Sequence, residues 1–126
     1  MKTVIATTAA PGAIGPYSQA IEANGFVFVS GQIPLDPATG AFVPGGVEEQ
    51  AEQSLRNLKA ILAGAGCAME DVVKTTVFLT DMGAFAAVNA VYAKHFTTDC
   101  PARSAVQVGA LPKGALVEIE AIAVKK

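Results

Sequence analysis

From Val47 the apolar positions Val47, Ala51, Leu55, Leu58, Leu62 and Ala65 recur at intervals of three and four, while Glu48, Glu49, Glu52, Arg56 and Lys59 fall off that stripe. This period predicts an amphipathic helix. Glu48 and Glu49 suit the positive end of its dipole, and Gly64 or Gly66 can supply the left-handed residue that ends it. The short aromatic and β-branched run 26–30 predicts a strand instead. Pro34, Pro37, Gly40, Pro44, Gly45 and Gly46 follow it so closely that neither regular element can continue through them. Residues 71–80 predict a further strand. Thr80 or Asp81 then caps a second helix with Phe85, Val88, Tyr92 and Phe96 on one face. Residues 104–109 and 116–124 alternate at period two and predict two closing strands, divided by the turn Leu111-Pro112-Lys113-Gly114.

This order of elements predicts a single α+β domain over residues 1–126, a mixed sheet with both helices packed on one face. On the closing strands Val106, Val108, Val117, Ile119, Ala121 and Ala123 form one apolar set. Arg103, Gln107, Glu118 and Glu120 alternate with it on the side that no helix covers. A face of that kind is either solvated or a subunit interface with polar groups gathered at its clefts.

Composition narrows the choice. With 126 residues, 16% charged and 52% hydrophobic, the chain suits one core and has more apolar surface than so small a volume hides well, which favours self-association. The net charge of −2 and the lack of any basic window argue against a nucleic-acid partner. Cys67 and Cys100 stand far apart, outside any zinc or redox spacing, and a reducing compartment is expected. No stretch has the make-up of a signal peptide or the roughly 18 to 20 apolar residues of a membrane span, so a cytoplasmic location is expected. The single histidine, His95, has no companion Cys or second His and is expected as a surface or helix-end residue rather than a catalyst or ligand; any Ser-His-Asp arrangement would have to enlist it. Gly12-x-x-Gly15-Pro16 lacks the spacing and the lysine of a phosphate loop.

Chemistry then rests on a few polar residues in apolar or glycine-rich settings. Arg103, in Pro101-Ala102-Arg103-Ser104, opens a strand on the expected uncovered face, where a guanidinium can clasp a carboxylate with two parallel hydrogen bonds. Glu118, in Val117-Glu118-Ile119-Glu120, is a candidate acid or base. Singly, each is an ordinary solvated strand residue, and Tyr17, Ser30 and Asn89 carry less information still.

Together they form a pattern. Pro101-Ala102-Arg103-Ser104, Leu111-Pro112 and Val117-Glu118-Ile119-Glu120-Ala121 resemble the C-terminal signature of the RidA (YjgF) family. Ala13-Ile14-Gly15-Pro16-Tyr17-Ser18-Gln19-Ala20, Ser30-Gly31-Gln32-Ile33-Pro34 and Lys74-Thr75-Thr76-Val77-Phe78-Leu79 resemble its other blocks, in family order along the whole chain. The resemblance implies a chorismate-mutase-like fold, a homotrimer with sites between subunits, and no cofactor or metal. It implies hydrolysis of 2-iminobutanoate, 2-iminopropanoate and their enamine forms to 2-keto acids and ammonia. Arg103, Glu118 and Tyr17 match the family's catalytic positions; Arg103, Ser30, Gly31, Asn89 and Ala105 match its substrate contacts. Ala105 departs from the cysteine that many deaminase relatives carry, which puts thiol-based regulation in doubt rather than deamination. Two other classes remain open: a 2-keto-acid-binding or chaperone-like trimer without chemistry, and a ribonuclease acting in translation inhibition.

Overall fold

The computed structural model describes residues 1–126 as one six-stranded sheet with two α-helices. The strands are β1 (Thr3–Ile5), β2 (Ala20–Ala23), β3 (Phe26–Gln32), β4 (Val72–Leu79), β5 (Ala102–Gln107) and β6 (Val117–Val124). They lie in the order β1-β2-β3-β6-β4-β5. All neighbours are antiparallel except β4 and β5, which are parallel. Parallel strands need a crossover, and helix α2 (Phe85–Tyr92) supplies it.

Helix α1 (Val47–Gly64) buries Ala51, Leu55, Leu58, Ile61 and Leu62 at the predicted spacing. Glu49 closes its first turn by accepting the Gly46 N–H at 2.8 Å. Gly66, at φ 79°, is the left-handed residue. Around it the Cys67 N–H donates to the Leu62 carbonyl and the Gly66 N–H to that of Ala63, which satisfies two of the orphan carbonyls at the helix end. Asp81 caps a short 3-10 turn, Met82–Ala84, that leads into α2, so the second helix begins later than its capping signal predicts. Both helices lie against the side of the sheet that carries Val27, Val29, Val77, Val117, Ile119, Ala121 and Ala123, and these strand and helix side chains form the core.

The structure departs from the sequence pattern in three places. Strands β1 and β2 have no counterpart in it: β1 is β-branched throughout but only three residues long, and the run Ala-Ile-Glu-Ala of β2 has one β-branched residue in four. The closing strands do not pair with each other, since β6 inserts between β3 and β4 and leaves β5 at the edge. The facing of β5 is also reversed. Arg103 and Ala105 stand opposite the buried Thr75 and Val77 and therefore point to the helical side, while Val106 lies on the uncovered side at 41% exposure. The expected facing of β5 followed only from its apolar residues; its parity is instead dictated by parallel pairing with β4.

The uncovered face mixes apolar and polar groups. Val4, Phe26, Phe28, Val106 and Val124 are each between 36% and 59% exposed there, alongside Lys74, Thr76, Ser104, Glu118 and Glu120.

The segment after β3 is held by Asn57, 1% exposed on α1, whose Nδ2 donates to the carbonyls of Leu35 at 2.9 Å and Ile33 at 3.3 Å. Asn57→Leu fills the same space and strands those carbonyls. We expect it to lower stability by about 1–3 kcal/mol in urea unfolding.

Candidate functional site

Strands β3 and β6 lose register between Val29 and Gln32, where β3 carries one residue more than its partner. The bulge presents Ser30 and Gly31 beside Glu118, the half-buried residue of β6 that points away from the helices. Gly31 leaves the room that this carboxylate occupies: a Cβ built on it would collide with Glu118 Oε2 and force the glutamate side chain away. Ser30 fixes the neighbouring loop, its Oγ donating to the Ser18 carbonyl at 2.6 Å and its N–H to that of Gln19. These residues floor a cleft of about 590 Å³, walled by Ile14, Tyr17, Ile33 and Pro112. The Tyr17 hydroxyl accepts the Ile14 N–H at 3.4 Å, which lays the ring along the rim.

Electrostatics mark Glu118. Burial pushes its carboxyl above the usual carboxylate range, and the nearby charge of Glu120 adds to the shift. A carboxyl so placed holds a proton at higher pH than an exposed glutamate and can both accept and return one.

Arg103 occupies a different place. Its Nη1 donates to Asn89 Oδ1 of α2 at 2.7 Å, and its guanidinium lies 5.2 Å from the Phe85 ring and 4.7 Å from the Tyr92 ring. Ala105 follows it on the same side of β5, which as an edge strand keeps one row of backbone N–H and C=O groups free.

The expected site residues thus form two groups. Tyr17, Ser30, Gly31 and Glu118 meet in the cleft; Arg103, Asn89 and Ala105 stand together on the helical side. The expectation that Arg103 shares a face with Glu118 is overturned by the parallel pairing of β5. In register, Arg103 lies opposite Thr75 and Glu118 opposite Phe78, with β4 between them. The two residues are therefore about 10 Å apart along the strands and about 10 Å across them, with side chains diverging.

Sequence reasoning overlooked Glu120, Pro112 and Lys113 in the cleft, and Phe85 and Tyr92 beside Arg103. The second pair was accessible, because Phe85, Asn89 and Tyr92 recur at helical spacing. Pro112 and Lys113 were hidden by their turn, and Glu120 reads as one more outward residue of an alternating strand. His95, just beyond α2, joins neither group: its Nε2 meets Glu52 Oε1 at 2.9 Å, and Glu52 also binds Arg56 at 2.8 Å.

A six-stranded mixed sheet, two helices on one face and a glutamate-floored cleft on the other define a small α+β protein whose candidate site residues are divided between opposite faces. The family model described as Endoribonuclease L-PSP matches residues 7–125, and the chain belongs to this family, also known as YjgF/RidA. It is 55% identical to the mouse protein named 2-iminobutanoate/2-iminopropanoate deaminase, over 99% of this chain and 93% of that one. It is 56% identical to a Pyrococcus horikoshii RutC family protein over the whole of both chains. Among solved structures, that of Escherichia coli TdcF with bound serine superposes with a TM-score of 0.92 at 48% identity, covering 98% of this chain and 99% of that one.

Two outcomes follow from Glu118. Its raised pKa means that the ionised form costs folding stability, a cost absent below the ordinary carboxylate range and complete once pH has risen through the raised value. Glu118→Gln should therefore unfold at a higher temperature than the wild type at about pH 8, and the gap should close near pH 4. Gly31→Ala should drive the carboxylate out of its recess, and a ¹³C-detected titration should show the Glu118 pKa falling back toward that of an exposed glutamate.

Proposed function

We propose that this chain hydrolyses small 2-imino acids and their enamine tautomers, 2-iminobutanoate and 2-iminopropanoate among them, to 2-keto acids and ammonia. The reaction takes place at sites shared by neighbouring subunits of a homotrimer. The observation that carries this reading is the division of Arg103 and Glu118 between opposite faces of one sheet. A small imino acid spans less than their separation, so one chain cannot use both on one molecule. Two chains can.

Such a contact joins the β5 edge of one subunit to the uncovered face of the next. It is heterologous, and heterologous contacts close into rings of three or more rather than two-fold dimers. The exposed Phe26, Phe28, Val106 and Val124 give the uncovered face the apolar character that burial in a ring requires. The deaminase name of the mouse relative supports the reaction, and the serine held by the Escherichia coli relative supports an amino-acid-sized ligand.

The chemistry needs only residues of this chain. Arg103 of one subunit grips the carboxylate with two parallel hydrogen bonds and presents the C=N carbon to the neighbouring cleft. Glu118 of the neighbour takes a proton from water as the oxygen attacks that carbon. It returns that proton to nitrogen, giving a carbinolamine, and then carries the hydroxyl proton to the same nitrogen as the C–N bond breaks and the C=O bond forms, releasing ammonia and leaving the keto acid. Ser30 and Gly31 hold the cleft floor, and Tyr17 covers the substrate side chain. Ribonuclease chemistry is the poorer reading, since a cleft carrying Glu118 and Glu120 in a chain of net charge −2 repels a phosphodiester.

The test couples a threonine dehydratase to the protein while semicarbazide competes for the imine. The wild type should divert imine from the semicarbazone into 2-keto acid, and equal trapping with and without it would refute the activity. Arg103→Ala should abolish turnover, and Arg103→Lys should restore little of it, because a lysine lacks the planar two-point grip. Glu118→Gln should lose ten-fold or more in rate, on the order of a lost acid/base group, with 2-keto-acid affinity retained. Co-expressed Arg103→Ala and Glu118→Gln chains should recover about one quarter of wild-type activity, the fraction of random contacts that unite an intact Arg103 with an intact Glu118. A site within one chain would recover none.

A further inference from the structure

We propose that Tyr92, together with Thr75, is a positioning residue that sets the orientation of the Arg103 guanidinium. The inference rests on the reading of Arg103 as the carboxylate anchor and adds what aims it. Tyr92 is 5% exposed, and its hydroxyl lies 2.8 Å from Oγ1 of Thr75, which is fully buried. Thr75 is also the residue of β4 directly opposite Arg103 in the parallel ladder. A closed circuit results: Arg103 pairs with Thr75 through the strands, Thr75 bonds the Tyr92 hydroxyl, and the Tyr92 ring lies against the Arg103 guanidinium at 4.7 Å. The tilt of the ring is thereby referred to the same stretch of backbone that carries the arginine.

The consequence lies in how a guanidinium is used. Of its five N–H groups, one is taken by Asn89. Aromatic faces engage the cation without consuming donors, so Tyr92 on one contact and Phe85 on another hold the plane and leave the remaining N–H groups for a carboxylate. Phe85, Asn89 and Tyr92 lie on one side of α2, and the helix acts as a mount for an arginine that would otherwise sample many rotamers at a sheet edge.

Tyr92→Leu should raise KM and weaken 2-oxobutanoate binding about three- to thirty-fold, with a smaller fall in kcat. Tyr92→Phe keeps the ring but cuts the hydroxyl tie, and should show a smaller part of that loss. Thr75→Val cuts the same tie from the other side and should show the same partial loss, which covers the case in which the leucine variant fails to fold. A double-mutant cycle distinguishes positioning from general structural support: in an Arg103→Lys background the leucine substitution should add little, because a lysine has no plane to hold. The Arg103 Nε–Hε resonance, which needs no substrate, should be shifted by the ring current and show slow guanidinium rotation in the wild type, and lose both in Tyr92→Leu. If the wild type hydrolyses no imine, the resonance and the binding measurement still decide the role of Tyr92. An unchanged Arg103 resonance, or a full penalty persisting in the lysine background, would overturn it.

Discussion

Parallel pairing of β5 with β4 is the constraint on which the arrangement of functional groups depends. Because β5 returns to the sheet through α2, it enters alongside β4 in the same direction, and Arg103 is brought opposite Thr75 on the helical side. The antiparallel strand β6 occupies the other edge of β4 and turns Glu118 to the uncovered side. Neither side chain can reach the other around its own sheet. Under the proposed function, a second chain is what brings the two groups to one substrate.

Each half is built by the same economy of local devices. At Glu118, a one-residue bulge and a glycine make a recess that a carboxylate fills, and burial there changes its proton affinity in the direction acid/base chemistry uses. At Arg103, a short helix places one amide and two aromatic rings around a guanidinium. Neither half needs a metal ligand or a strong nucleophile. An imine beside a carboxylate is already electrophilic, and orientation, exclusion of water and one proton carrier supply what remains.

The departure at Ala105 fits this picture. Its side chain packs against the core on the helical side of β5, and a strand offers its neighbours backbone groups whatever methyl or thiol it carries. The cleft opposite is larger than a four-carbon acid, and Ile14, Ile33, Pro112 and Tyr17 give it an apolar wall suited to a hydrocarbon side chain.

The sequence by itself determined α1, the core of β4 and the facing of β6, because periods of 3.6 and 2 are read directly from apolar side chains that must be buried. It also displayed the candidate residues of both groups, since each of the family blocks that contain Tyr17, Ser30, Arg103 and Glu118 is contiguous along the chain. It did not show β1 and β2, which are too short for their alternation to be read, nor the bulge at Ser30 and Gly31, which exists only relative to β6. The side to which Arg103 points was decided by tertiary structure alone. A strand's alternation states which residues share a face, but which face that is depends on the partner it pairs with, and for β5 that partner lies more than twenty residues back in the chain, at β4.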